Sequence, residues 1–351
     1  MNGIASRLLA ALAYPRAVDD FVELALPLHT SRESREVRAR VVSVERETHD
    51  VATLRLRPNG RFRPHRAGQH VAVTVRVDGI RRTRVFSIAS AERDTTIALT
   101  IKARPGGVVT PVLVSGSLRD AVVTLGQPSG EFVLPEAVPE RLLLVSGGSG
   151  ITPVMSMLRT LLARGHRGDV VFAHWARSEA DVIYRSELER IARRASSGLR
   201  VRVFTGPFEP AGFVDLVPDF DARDTWACGP EPFLDVVRET FGARGAADRV
   251  RVERFTRGGL PATRDSAASA SEVTFVRSQR RARGGGPLLA MAEGAGLSPP
   301  SGCRMGICHT CVCRKVSGVT RDLRTGALST DEDVDVQLCV SEPVGPVEID
   351  L

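Results

Sequence analysis

Five of the chain's six cysteines fall between Cys303 and Cys339. Four of them are spaced for chemistry. Cys303-Arg-Met-Gly-Ile-Cys308-His-Thr-Cys311, followed after a long gap by Cys339, has the C-x4-C-x2-C…C spacing of plant-type [2Fe–2S] sites. Such a site needs four thiolates, two for each iron. Three come from a tight loop and the fourth from another element. Gly302 and Gly306 let that loop curl close around its contents. A structural zinc ion is the competing use of such cysteines, although zinc frameworks more often use paired C-x2-C knuckles. Cys313 fits no ligand slot and reads as a packed side chain. Clustering of this kind favours a metal site in a reducing compartment over a secreted disulfide scaffold.

A second group is Val145-Ser-Gly147-Gly148-Ser149-Gly150-Ile-Thr152-Pro153. It follows an apolar run and opens a helical stretch. Glycines there let a phosphate approach free backbone amides at a helix start, and Pro153 suits the first turn. A plain tight turn would use the same residues. A later strand ends in Cys228-Gly229-Pro230, which would lie at the same carboxyl edge of one sheet. A third group is Arg84-Val85-Phe86-Ser87-Ile-Ala-Ser90, with Gly106, Gly107, Val108, Val109 and Thr110 downstream. An arginine pairs with a pyrophosphate, an aromatic stacks on a planar ring, and a serine reaches a ring nitrogen. Alone, an arginine on a strand is usually just solvated.

These residues need elements to place them. Residues 37–137 alternate apolar with polar in short strands, at 37–44, 51–56, 69–75, 83–88 and 96–101, as in a small antiparallel barrel. Residues 138–256 alternate strands and helices, starting from the continuous apolar run Leu142–Val145, as in a doubly wound α/β domain. Residues 257–271 are small and polar and read as a linker. Residues 272–351 form a third unit with a strand at 272–277, a helix at 287–294 and the cysteine loop. Residues 1–36 read as a helical extension that packs on the barrel or contacts a partner or membrane surface.

Composition narrows the function. The chain has 351 residues, 42% hydrophobic and 25% charged, which excludes global disorder and suits two or three domains. The apolar stretch Leu8–Leu28 is interrupted by Pro15, Arg16, Asp19 and Asp20, so neither a membrane span nor a usual signal peptide is expected there, and the protein is expected in the cytoplasm. The formal charge is +7, and Lys102 and Lys315 are its only lysines among 48 basic residues. That bias suggests a coding background more than a function. The run Arg277, Arg280, Arg281, Arg283 reads as a solvated hairpin beside Gly284–Gly286, and no nucleic-acid partner is expected. Asp331–Asp335 reads as a solvated acidic surface.

Taken together, the three motif groups, in this order over about residues 37–351, resemble the ferredoxin–NADP reductase superfamily with a fused C-terminal plant-type ferredoxin domain. The resemblance implies a multidomain oxidoreductase: an antiparallel FAD-binding barrel, a doubly wound NAD(P)-binding domain and a β-grasp-like α+β [2Fe–2S] domain. Arg84, Val85, Phe86 and Ser87 stand at its flavin motif, with Phe86 in place of the commoner tyrosine. Gly107, Val108, Val109 and Thr110 match its diphosphate turn, in the manner of the FAD branch. Gly148, Ser149, Gly150 and Thr152 match its nicotinamide-dinucleotide loop, and Cys228, Gly229 and Pro230 its second nicotinamide-side turn. Ser87 and Cys228 are expected along the hydride path. Glu253-Arg254-Phe255 resembles the end of the reductase core, with Phe255 covering the flavin. Cys303, Cys308, Cys311 and Cys339 would be the cluster ligands. His70, where Gly-Gln-Phe would be typical, reads as a barrel-surface histidine.

The implied activity carries a hydride from NAD(P)H to FAD, then single electrons to the cluster and on to an outside acceptor. Arg177, Ser178 and Arg185 follow the second strand of the α/β domain, where the family reads the adenine ribose. They would hold a 2′-phosphate, which makes NADPH the expected donor, with NADH open. The segment Asp19–Leu24 with Pro27-Leu28 is similar to actinobacterial reductases that serve acyl-CoA desaturases. A di-iron desaturase is therefore the first expected acceptor, with peripheral membrane contact through it. A cytoplasmic ring- or steroid-hydroxylating oxygenase of the Rieske type is the alternative. An iron–sulfur redox sensor is the reading outside enzymology.

Overall fold

A computed structural model describes residues 37–194, 198–255, 271–302, 304, 306 and 309–351. The expected extension at 1–36 and all but the last residue of the linker at 257–271 lie outside the described residues. The rest divides into two compact units: one through Val77 and from Phe86 to Phe255, the other of Asp78–Val85 and the C-terminal segment.

The first sheet is antiparallel. Among the described residues it comprises β1 (Val37–Arg46), β2 (Val51–Pro58), β3 (His70–Val77), β4 (Ile80–Ser87), β5 (Ile97–Lys102) and β6 (Val122–Leu125), in the order β4-β3-β6-β1-β2-β5. A bridge from Ile88 to Leu99 links the end of β4 to β5 and curls the sheet into a barrel. Alternation explains the filling: Val71, Val73, Val75 and Val77 of β3 are all buried, as are Leu54 and Leu56 of β2. Each such side chain contributes about 1.5–3 kcal/mol by leaving water. A short helix, α1 (Thr110–Val114), follows β5. The expected strands are all present. The unexpected β6 is only four residues long.

The second sheet is parallel, ordered β11-β10-β7-β8-β9 from β7 (Arg141–Gly147), β8 (Asp169–Ala176), β9 (Leu199–Thr205), β10 (Asp224–Gly229) and β11 (Val250–Arg254). Helices α2 (Ile151–Ala163), α3 (Arg185–Arg194), α4 (Pro210–Leu216) and α5 (Glu231–Gly242) connect them. The apolar run in β7 divides between two cores. Leu142 and Leu144 join Val154, Leu158 and Leu161 of α2 on one face. Leu143 and Val145 join Phe233, Leu234 and Val237 of α5 on the other. A strand covered on both faces has no polar side to show, which is why its sequence does not alternate. At the amino edge, Arg223 is 1% exposed. It spans the carboxylates of Asp169 and Asp219 and the Asp169 carbonyl.

The C-terminal unit is a mixed sheet ordered β13-β12-β17-β14-β15. It is built from β12 (Ser271–Phe275), β13 (Arg280–Gly284), β14 (Val312–Asp322), β15 (Leu328–Ser329), β16 (Val334–Gln337) and β17 (Ser341–Ile349). β12 runs parallel to β17, the other pairs are antiparallel, and β16 pairs with β14. Helix α6 (Leu288–Gly294) buries Leu288, Leu289, Met291 and Ala292 against this sheet, giving a β-grasp-like α+β fold. The arginine run forms part of the β12–β13 hairpin, where Arg277 pairs with Asp350 and Arg281 with Glu272.

One titratable group sits deep in the α/β core. His174 on β8 is fully buried, with Nδ1 2.9 Å from Ser146 Oγ. Burial holds its imidazole down from 6.5 to about 4. The folded state therefore refuses a proton that the unfolded chain takes up near 6.5. Stability is complete above that pH and falls as pH drops toward the folded value, by up to about 3 kcal/mol. Urea unfolding of the full chain at pH 7.5 and at pH 4.5 should show this loss, and His174→Gln should reduce it, leaving the smaller share of the other buried imidazole, His65. An equal loss in the variant would place the pH dependence elsewhere.

Candidate functional site

The parallel sheet reverses direction of growth between β7 and β10, where its two neighbours come from different parts of the chain. Two turns leave the sheet at this crevice, the place where open α/β sheets hold ligands. After β7, Gly148–Gly150 form one turn of 3-10 helix leading into α2. Gly148 has φ +53, and a Cβ there would meet only open space. Gly150 is the opposite case: its Cβ would lie 2.2 Å from the Cys228 carbonyl oxygen. The second turn, Cys228-Gly229-Pro230, is thus in direct backbone contact with the first. Phe233 of α5 backs both, because a Cβ at Gly229 would collide with its ring at 2.7 Å and one at Gly147 would crowd it at 3.2 Å. Thr152 Oγ donates to the Ser149 carbonyl at 3.1 Å and tightens the loop. The glycines keep a shallow, backbone-lined cradle at the start of a 13-residue helix, which suits a dinucleotide phosphate.

Cys228 is fully buried, and burial, with Glu253 nearby, keeps its thiol protonated far above the usual range. It is a neutral packing group rather than a nucleophile. Glu253 of β11 stands in register with it. The sequence marks this carboxylate in Glu253-Arg254-Phe255, but not its pairing with His70. His70 is not the surface residue expected. Its side chain is 12% exposed, with Nδ1 3.7 Å from Glu253 Oε1. Gly130 makes room for the ring, since a Cβ there would approach it to 2.8 Å. Burial pushes the Glu253 carboxyl up, and His70 opposes that shift. Phe255 follows directly and is 41% exposed, an aromatic presented at the carboxyl edge.

The Arg84–Ser90 segment lies along β4 and beyond. Strand alternation puts Arg84 and Phe86 on one face and Val85 and Ser87 on the other. Phe86 packs on the barrel core, and Ser87 is buried. Arg84 Nη1 donates to the Thr83 carbonyl at 2.7 Å. The following residues are gripped by α2. Ser156 Oγ donates to the Ser90 carbonyl at 2.6 Å, Arg159 Nη1 to the Ala89 carbonyl at 2.6 Å, and Glu92 N to Thr160 Oγ at 3.2 Å. Arg159 is held in turn by Glu187 of α3 and lies over the Tyr184 ring. The helix that opens at the glycine turn therefore also fixes Ala89 and Ser90, just beyond the strand motif. Downstream, Gly107–Thr110 form the entry to α1. Gly107 N donates to the Arg104 carbonyl at 2.9 Å, and Thr110 Oγ accepts from Arg104 N at 2.9 Å. Val109 is buried, and Val108 is 43% exposed.

Arg177 and Ser178 follow β8 and share Asp181, while Arg185 opens α3, and carboxylates already engage all three. Arg177 Nη2 and Ser178 Oγ donate to Asp181 at 3.1 and 2.9 Å, and Arg185 pairs with Glu179. Arg185 and Glu179 line an open polar cleft of about 530 Å³, together with Tyr184 and Glu187.

In the C-terminal unit Cys303 and Cys308 lie outside the described residues. Cys311 and Cys339 are both buried, at 3% and 4% exposed. Gly306 N donates to Cys339 Sγ at 3.3 Å. A buried sulfur that accepts a backbone amide, within a set of cysteine donors, fits thiolate ligation of an iron–sulfur cluster. Cys313 on β14 instead donates to the Asp350 carbonyl at 3.3 Å, and burial raises its thiol. It is the packed residue expected. No helix among the described residues is long and apolar enough to cross a membrane.

Comparison with known proteins agrees with this domain architecture. The oxidoreductase FAD-binding domain family matches residues 38–134, the oxidoreductase NAD-binding domain family residues 144–212, and the 2Fe-2S iron–sulfur cluster binding domain family residues 276–344. An NADPH oxidoreductase of Mycobacterium tuberculosis is 38% identical, the alignment covering 98% of this chain and 91% of the relative. The glycine betaine monooxygenase reductase subunit of Pseudomonas aeruginosa is 31% identical over 89% of this chain and 94% of its own. The solved structure of phthalate dioxygenase reductase, described as a modular structure for electron transfer from pyridine nucleotides to [2Fe–2S], shares the fold. Its TM-score is 0.61 at 24% identity, covering 90% of this chain and 98% of that one. The chain belongs to the ferredoxin–NADP reductase superfamily, as an oxidoreductase with FAD-binding, NAD-binding and C-terminal 2Fe-2S domains.

Proposed function

We propose that the chain is the reductase component of a multicomponent oxygenase, drawing electrons from NADPH and passing them through FAD and a [2Fe–2S] cluster to a separate oxygenase. The observation that carries this reading is the meeting of the Gly148–Gly150 and Cys228–Pro230 turns at the helix that also grips Ala89 and Ser90. When bound, the flavin takes a hydride from the coenzyme and the cluster accepts electrons singly. In this reading Gly148, Ser149, Gly150 and Thr152 cradle the coenzyme diphosphate, and Cys228, Gly229 and Pro230 wall its nicotinamide side. Arg84, Val85, Phe86, Ser87 and Gly107–Thr110 hold FAD, with Phe255 over the ring. Cys303, Cys308, Cys311 and Cys339 hold the cluster. Ser87 and the neutral Cys228 thiol order the hydride path by shape and polarity.

NADPH is favoured by the Arg177, Ser178, Arg185 group, whose donors suit a 2′-phosphate once Asp181 and Glu179 release them. The name of the mycobacterial relative agrees. An oxygenase acceptor is favoured by relatives named as monooxygenase and N-demethylase reductase subunits. A di-iron acyl-CoA desaturase is the second reading. The likeness of Asp19–Leu28 to reductases of that system supports it. Reconstitution with each class of acceptor separates the two: the productive partner should oxidise its substrate with NADPH consumption coupled to product.

Anaerobic titration of the purified protein with NADPH and with NADH should bleach flavin and iron–sulfur absorption together, NADPH at lower concentration. Absence of iron–sulfur bands would sink the electron path. Arg177→Gln with Arg185→Gln should raise KM for NADPH by about tenfold or more and leave KM for NADH nearly unchanged, since each charged hydrogen bond is worth about 1.5–3 kcal/mol. Gly150→Ala should slow flavin reduction roughly tenfold or more by prising the two turns apart. Ser156→Ala with Arg159→Met should lower the rate of flavin reduction while FAD stays bound. Unchanged stopped-flow rates would remove α2 as the part that sets the geometry.

A further inference from the structure

In the cysteine loop, the peptide groups around Gly306 are held from two sides. Its N–H donates to Cys339 Sγ at 3.3 Å. Its carbonyl accepts from Arg324 Nη1 at 2.9 Å and from Gln337 Nε2 at 3.0 Å. Gly306 has φ +72, and a Cβ there would lie 2.6 Å from Arg324 Nη1, so only glycine lets the guanidinium come this close. Arg324 is itself anchored. Its Nε and Nη2 reach the two Asp322 carboxylate oxygens at 3.2 and 2.6 Å. The Arg324 and Thr325 amides cap Asp322 Oδ1 at 2.8 and 3.3 Å. The Arg324 guanidinium holds the Asp322 carboxyl below the usual carboxylate range.

We propose that Arg324, aimed by Asp322 and assisted by Gln337, is a positioning residue that sets the reduction potential of the [2Fe–2S] cluster through the Gly306 backbone. This rests on the cluster reading of Cys303, Cys308, Cys311 and Cys339. Reduction adds negative charge to the cluster and its sulfurs. Amide hydrogen bonds to sulfur and nearby positive charge stabilise that added charge, and both raise the potential. Arg324 supplies both effects. It keeps the Gly306 N–H on Cys339, and its charge outweighs Asp322 at the loop because it stands between that carboxylate and the carbonyl. Removing it loosens the amide and uncovers an anion, and these changes act in the same direction. Neutralising Asp322 acts in the opposite direction, because the guanidinium keeps its charge and asparagine can still accept the two capping amides.

The test is a spectroelectrochemical titration of the full-length holoprotein, following cluster absorption and the electron paramagnetic resonance signal of the reduced cluster. Arg324→Gln should shift the one-electron equilibrium toward the oxidised cluster by about tenfold, about 59 mV. Gln337→Leu should shift it the same way by a smaller factor. Asp322→Asn should shift it toward the reduced cluster, and Arg324→Lys should fall between wild type and Arg324→Gln. Should Arg324→Gln fail to load the cluster, the opposite shifts of Asp322→Asn and Gln337→Leu decide. Potentials that are unchanged in cluster-loaded variants, or an Asp322→Asn shift in the same direction as Arg324→Gln, would overturn the proposal. A wild-type protein without iron–sulfur absorption would instead overturn the cluster reading itself.

Discussion

A few hydrogen bonds to two carbonyls, those of Ala89 and Ser90, tie the barrel to the parallel sheet. Both leave the end of the strand that bears the flavin-type motif. Helix α2 fills them through Ser156 and Arg159, and its first turn is the nucleotide-type cradle. Ser90 also uses its hydroxyl to accept from Ala98 N at 3.1 Å, tying the same corner to β5. Indole Nε1 of Trp226 on β10 donates to the Val133 carbonyl at 3.1 Å, and the Tyr184 hydroxyl joins the buried hydroxyls of Thr100 and Thr53. Barrel and parallel sheet are thus joined by directional bonds in a buried setting, where a lost partner costs more than a lost apolar contact.

Much of this was legible in the residues. The apolar run Leu142–Val145 and the glycine turn after it marked both the central strand and the cradle. Backbone needs are local: a glycine at positive φ, a proline in a first helical turn. The cysteine spacing marked the third domain for the same reason. What stayed hidden depends on contacts between distant segments. His70 and Glu253 come from β3 and β11, and although each is noticeable in its own segment, nothing local pairs them. β14 reads as Val-Cys-Arg-Lys-Val-Ser-Gly-Val-Thr-Arg-Asp, with no clean alternation. The structure explains this with two register shifts against β17 and a lysine at a buried position. β11 is short, arginine-rich and at a sheet edge, so burial pressure on it is slight.

The arginine bias takes on a second meaning. A coding background explains why arginine is common, but not where it is placed. Arg223, Arg159 and Arg324 each satisfy several acceptors in fixed directions, which a planar guanidinium does and an ammonium does not. At these positions a lysine would keep the charge and lose the geometry. The arginines after β8 work differently. Exposed and paired with carboxylates of their own turn, they contribute little to stability and remain exchangeable.

Lys315 is fully buried in the C-terminal sheet, its Nζ donating to the Ser329 carbonyl at 2.6 Å. The only other lysine, Lys102, sits at the end of β5, 37% exposed beside Asp50. Amine-directed reagents therefore meet one accessible side chain on the folded protein, and it belongs to the barrel. A fluorophore or cross-linker on the Lys102 side chain would report from the end of β5, and labelling at about pH 9 rather than about 7 would be needed because the α-amine of the chain titrates lower.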